Sequence, residues 1–169
     1  MEAGRFELTQ GDRALVYPAD IIARNRQGQT VLLVEVKATK LKKSSATKQS
    51  AIEYLKSYLQ IGNTKIPFAM LADLENIEIF QWEGANLSEP VSVLNTAAIL
   101  NHYDPEFSSK RIFWYYLETL IEAWLRDLAY HWKSENPPAS EELAAIGLLQ
   151  VLEGGNTYSE RDSEGGASW

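Results

Sequence analysis

Two acidic residues and a lysine carry the chemistry that the N-terminal half can offer. Asp20 lies amid Ala19, Ile21 and Ile22, and Glu35 and Lys37 lie in the run Thr30 to Ala38, TVLLVEVKA. In an extended chain alternate side chains share a face. Val31, Leu33, Glu35 and Lys37 are therefore expected on one face, and Leu32, Val34, Val36 and Ala38 on the other. A carboxylate and an ammonium on an otherwise apolar strand are costly to bury unless paired or metal-bound. A hairpin turning near Gly28 would bring Asp20 towards Glu35. Two carboxylates held close repel, and a divalent cation resolves that conflict. Their oxygens, with the backbone carbonyl of Val36, are hard ligands suited to Mg²⁺ or Mn²⁺. Such an ion polarises a phosphodiester and lowers the pKa of its bound water. Lys37 would stabilise the developing phosphorane charge or orient the nucleophile. The same residues also fit a buried ion pair, Asp20 with Lys37 or Glu35 with Lys37, that does no chemistry.

The elements that must position these groups follow from the pattern around them. Residues 14–23 read as a strand with Pro18 near an edge, 25–29 as a turn and 30–38 as the partner strand. Ser44 or Ser45 caps a helix over about Ala46 to Ile61, with Ile52, Leu55, Tyr58 and Leu59 at helical spacing, and Gly62 and Asn63 end it. Residues 67–71 and 77–82 read as two more strands. Strand, helix, strand after a hairpin implies a mixed α/β sheet. An aromatic-rich helix is expected over 108–133, stopped by Pro137 and Pro138, and a further helix from Ser140 to about Leu152. The domain plan is an α/β core over 1–100, a helical extension over 101–153 packed on the core or on a dimer partner, and a disordered tail over 154–169.

Charge is unevenly placed. The 169 residues carry a formal net charge of -7, which at first argues against a nucleic-acid partner. Residues 24–65, however, hold nine basic residues against two acidic ones, whereas the rest of the chain holds seven against twenty-one. Arg24, Arg26, Lys40, Lys42, Lys43 and Lys48 of this window are candidate phosphate contacts. The alternative is a solvated face of lysines. The absence of cysteine excludes disulfides, thiolate zinc sites and cysteine nucleophiles. His102 and His131, the two histidines, are expected to be structural. No apolar run approaches the ~18 residues of a spanning helix. Met1 to Gln10 has no signal-peptide core, so a cytoplasmic protein is expected.

Pro18-Ala19-Asp20 followed by Glu35-Val36-Lys37 resembles the signature of the PD-(D/E)XK nuclease superfamily. The likeness is closest to the N-terminal nuclease-like domain of type I restriction enzyme R subunits and their stand-alone relatives. Gln49 and Tyr54 resemble the glutamine and tyrosine that follow the lysine motif there, and Ala72 to Gly84 (ADLENIEIFQWEG) looks like the family's late hairpin. The resemblance covers residues 12–84. It implies a restriction-endonuclease-like mixed sheet flanked by helices, Asp20 and Glu35 as metal ligands, Lys37 as catalytic lysine and Gln49 as an accessory site residue. The family core begins with a helix; about thirteen residues precede the first strand here and do not read as one, with Glu2 or Glu7 as weak acidic substitutes. The expectation is a metal-dependent DNA nuclease, dimeric so as to cut two strands, with a possible restriction-modification partner. The alternatives are a nuclease-like DNA-binding or regulatory module that does not cleave, and an interaction protein that dimerises through 108–152.

Overall fold

A computed structural model describes residues 19–42, 45–61 and 65–159. Strand β1 (Ile21–Arg24) turns back into β2 (Thr30–Val36). The turn is made by Asn25, whose Oδ1 accepts from the N–H groups of Gln27 and Gln29, and by Gly28 at φ 81°. Ile21 stands opposite Val34 and Ala23 opposite Leu32, but Arg24 stands opposite Thr30. That one-residue slip leaves Val31 as the extra residue of a bulge. Val31 thus joins Leu32 in one buried cluster, and the alternation expected from the sequence holds only from Leu32 onward.

Helix α1 (Ala46–Ile61) connects β2 to the parallel strand β3 (Phe68–Ala72). Ser45 caps it, its Oγ accepting from the Lys48 N–H at 3.1 Å. Ala51, Leu55 and Leu59 recur every four residues and bury one stripe against Leu33, Ala69 and Leu71. Asp73 turns β3 into β4 (Asn76–Gln81): its Oδ1 accepts from the Glu75 and Asn76 N–H groups at 2.7 Å each. β5 (Ser92–Asn95) and β6 (Asn156–Ser159) complete a mixed six-stranded sheet of order β5-β4-β3-β2-β1-β6. Only the β2–β3 pair is parallel. The chain is therefore α/β, with helices on both faces of the sheet.

The second face is covered by α3 (Trp114–Tyr130), reached through the short helix α2 (Thr96–Leu100) and a 3₁₀ turn at Phe107–Ser109. Leu117, Ile121, Trp124 and Leu125 pack with Ile21, Val34, Met70 and Ile79, and Leu143, Leu148 and Leu152 from α4 (Ser140–Ala145) and α5 (Leu148–Leu152) join them. Residues beyond 100 thus share a core with the sheet. No helix among the described residues is long and apolar enough to cross a membrane.

Three elements differ from the sequence expectation. The long helix begins at Trp114 and closes at His131, which adopts φ 55°, ψ 46°. The helix expected over 140–152 is two helices broken at Gly147, at φ 86°. Asn156–Ser159, placed in a disordered tail, forms the edge strand β6 on β1. Its polar residues are engaged: the Thr157 hydroxyl donates to Glu122 Oε2 at 2.9 Å, and Arg126 Nε donates to that hydroxyl at 2.8 Å. Polar composition hid a strand whose partners are polar groups of α3. The proposed early strand residues 14–18, Glu2 and Glu7, Lys43, Ser44, Gly62 and Asn63, and the tail residues 160–169 lie outside the described residues.

Candidate active site

Asp20 and Glu35 meet because of the β1–β2 register. Ile22 faces Leu33 and Ile21 faces Val34, and Asp20, just before β1, bonds the N–H of Val36, so that it lines the same pocket as Glu35. Glu35 also stands opposite Leu71, on the sheet face that α1 covers. Its side chain is 8% exposed, while that of Lys37, 3.9 Å away between Nζ and Oε2, is 37% exposed. Asp20, Glu35 and Lys37 line one pocket of about 370 Å³ with Ala19 and, from α1, Ser50, Ala51 and Tyr54. Two carboxylates lie at its floor and an ammonium at its rim.

The peptide unit at Val36 is held from two sides. Its N–H donates to Asp20 Oδ2 at 2.7 Å, and its carbonyl accepts from the Trp114 indole N–H at 3.1 Å. The carbonyl assigned to a metal already accepts one bond from an indole that arrives from α3, which leaves its second lone pair for an ion. Among the described residues no group of three or more His, Cys, Asp or Glu side chains is placed to hold one metal ion. A pair of carboxylates fits Mg²⁺ or Mn²⁺ in the mode where water and substrate phosphate fill most of the octahedron. It does not fit a protein-only cage.

Tyr54 stacks edge-on against Tyr58, with ring centroids 4.8 Å apart. Its hydroxyl pKa is pushed up, first by burial, then by its hydrogen bond with Tyr58 and that ring's charge, and further by the Glu35 and Asp20 carboxylates. The phenol therefore stays protonated at neutral pH and is available as a donor.

The remaining predicted residues scatter. Gln49 is exposed and lines a separate groove of about 650 Å³ between α1 and β4–β5, with Ile52, Phe80 and Val93. One residue of rotation along α1, about 100°, separates it from Ser50 at the pocket. Lys48 lines the same groove, its Nζ 2.7 Å from Glu78 Oε2, with both side chains largely buried. A cation so paired is a structural one. Arg24 and Arg26 lie at the hairpin turn, five strand residues from Glu35, or about 17 Å. Arg24 stacks over the Tyr158 ring at 4.8 Å, and Arg26 lines a cleft with Gln150 and Glu153. Neither can touch a phosphate bound at the carboxylates. Lys40 and Lys42 are exposed in the loop after Lys37. The basic window is thus not one basic face.

His131 Nδ1 donates to the Ser134 carbonyl at 2.9 Å, and His102 Nε2 shares a hydrogen bond with Ser134 Oγ at 2.6 Å. Both serve the corner after α3. Sequence reasoning missed Ser50 and Trp114. Ser50 was findable, four residues before Tyr54 on the same helical stripe. Trp114 was not, since 78 residues separate it from Val36. Comparison with protein-family models, with curated proteins and with solved structures found no match for this chain.

Proposed function

We propose that the protein is a metal-dependent nuclease that hydrolyses phosphodiester bonds in DNA. The observation that carries this reading is that Asp20 and Glu35 line one solvent-open pocket together with Lys37. Asp20 and Glu35 would hold Mg²⁺ or Mn²⁺. When bound, that ion supplies a polarised phosphoryl group and a water of lowered pKa. Lys37 reaches solvent and offers its ammonium to the charge that builds on the phosphoryl oxygens. Tyr54, kept protonated, donates to a substrate oxygen from the α1 side. The water oxygen forms the new bond to phosphorus as one ester oxygen leaves. The resemblance to the nuclease-like domain of type I restriction enzyme R subunits points the same way, as do the exposed Lys40 and Lys42 for weak backbone contact.

A second reading is a nuclease-like nucleic-acid-binding or regulatory module that does not cleave. The small number of protein ligands favours it, because among the described residues no three His, Cys, Asp or Glu side chains are placed to hold one ion. Plasmid and oligonucleotide cleavage with Mn²⁺, run beside Lys37→Ala, separates the two. The nuclease cuts only with metal, and the variant does not. Absence of cutting at high enzyme concentration, or equal cutting by the variant, leaves the second reading. A homodimer that presents two pockets to two strands, or a restriction-modification partner, belongs to the same proposal and is read from the oligomeric state on DNA.

A further inference from the structure

We propose that the start of α3 is a stacking platform for unpaired nucleobases next to the phosphate that enters the Asp20–Glu35 pocket. The choice of partner rests on the nucleic-acid reading above. The platform is attached directly to the site: the Trp114 indole N–H is bonded to the carbonyl of Val36, the residue between Glu35 and Lys37. That bond pins the edge of the ring, yet Trp114 remains 40% exposed, and its neighbours Phe113 and Tyr115 are 63% and 58% exposed. Three consecutive aromatics in water at one helix start are not spent on the core. The apolar stripe of α3 that is spent there begins at Leu117.

The charges around the aromatics fit a polyanion. The Arg111 guanidinium lies 5.1 Å over the Phe113 ring, and the first turn of α3 contains no acidic residue. Lys37 follows the carbonyl that Trp114 holds, with Lys40 and Lys42 exposed beyond it. Of the two acids in the preceding loop, Asp104 is neutralised by Lys110 at 2.9 Å and bonded by the Tyr116 hydroxyl at 2.6 Å, and Glu106 is exposed and set against Lys110 and Arg111 in the same loop. Aromatic faces with interleaved cations suit bases and phosphates together, and stacking tolerates any base. In a duplex the base faces are covered by their neighbours, so the occupant must be single-stranded or frayed. The corollary is a preference for single strands, flaps or forks over blunt duplex.

The test is fluorescence anisotropy in EDTA, with a labelled single strand of about a dozen nucleotides, the matching duplex and a fork. Wild type should bind the single strand and the fork more tightly than the duplex. Trp114→Ala should weaken single-strand binding roughly five- to a hundredfold, the range that one stacked base represents. Trp114→Phe keeps a ring but loses the N–H and should stay within about threefold of wild type on the same scale. Phe113→Ala should weaken binding too, and it carries the test if Trp114→Ala does not fold. No loss in either alanine variant overturns the platform. So does an equal loss in Trp114→Phe and Trp114→Ala, because Trp114 would then act through the Val36 carbonyl. A dimer that dissociates in the alanine variants, with nucleic-acid binding unchanged, assigns the patch to a second copy of the chain and also overturns it. Because EDTA removes cleavage from this assay, binding here with no cutting in the separate Mn²⁺ assay refutes only the nuclease reading, and loss-free binding by the alanine variants refutes only the platform.

Discussion

Asp20→Asn separates a metal ligand from a structural anchor. In the wild type Asp20 Oδ2 accepts from the Val36 N–H at 2.7 Å. An asparagine oxygen can accept the same bond, so the variant loses only the charge assistance, about 1 kcal/mol. Against that loss stands the relief of repulsion with Glu35. Two full charges about 5–8 Å apart across one small pocket, at an effective dielectric constant of about 20, repel by about 2–3 kcal/mol. Without metal the variant should therefore melt no lower than about 1 kcal/mol below wild type, and relief of repulsion favours a higher midpoint. The metal reverses the order. A site of two carboxylates sits at the weak end of oxygen-ligand affinities, on the order of 1 mM. At ten times that concentration the stabilisation is about 1.4 kcal/mol. In a chain of this size that raises Tm by about 3–6 °C. Differential scanning fluorimetry of both proteins with EDTA, and with about 10 mM Mn²⁺ or Mg²⁺, reads all four values. The expected result is a metal-dependent rise in wild type that the variant lacks. An equal rise in both refutes the assignment of Asp20 as a ligand. A loss beyond about 3 kcal/mol in the metal-free variant, the whole value of a charged hydrogen bond, shows instead that Asp20 is mainly an anchor for β2.

Three further outcomes test the surrounding framework. Lys48→Met leaves the partly buried Glu78 without its 2.7 Å partner and should cost about 1–3 kcal/mol in urea unfolding. Oligonucleotide affinity per folded molecule should not change, which would contradict any phosphate contact by Lys48. Thr157→Val removes the hydroxyl between Arg126 and Glu122 and should cost about 2–3 kcal/mol; a variant as stable as wild type would mean that β6 does not dock on α3. Burial raises the Asp127 carboxyl, but hydrogen bonds from the Tyr103 hydroxyl and from Lys133 and Ser134 outweigh it, so its folded pKa lies below the ordinary value. A depressed carboxyl contributes stability above its unfolded pKa and loses it as pH falls through the folded one. Tyr103→Phe should therefore move the acid-unfolding midpoint, below about pH 4, to higher pH, and an unchanged midpoint would remove Asp127 from the acid limb.

What could be read from the sequence was whatever local periodicity encodes. The stripe of α1 and the strands around Leu33, Met70 and Ile79 carry strong apolar patterns, and they emerge where the pattern puts them. The Asp20–Glu35 juxtaposition was legible for the same reason, since a tight hairpin fixes register within a few residues. The failures share one cause. β5 and β6 are four residues each, too short for a clear alternation, and β6 is polar and stabilised by a partner far along the chain, Glu122 against Thr157. The Val36 carbonyl looked open because its donor is a tryptophan 78 residues away.

The basic window failed more instructively, because adjacency in sequence is not adjacency in space. Arg24 and Arg26 flank the turn, and Lys37, Lys40 and Lys42 flank the other end of β2. A strand of seven residues lies between them, so the same hairpin that joins Asp20 to Glu35 carries the arginines away. Lys48 leaves the set through Glu78. Among the described residues the cations that remain at that end of β2 are Lys37, Lys40 and Lys42, and the segment leading into the long helix brings Arg111, beside Phe113, next to the Trp114 that reaches the Val36 carbonyl. Any nucleic acid bound there is held by few charges, so affinity should fall only gently with salt. More of the binding energy must then come from contacts that salt does not screen, which is the role left for the exposed rings of Phe113, Trp114 and Tyr115. A salt slope that steepens when Arg24 and Arg26 are restored from alanine, measured on the same single strand, would contradict that division.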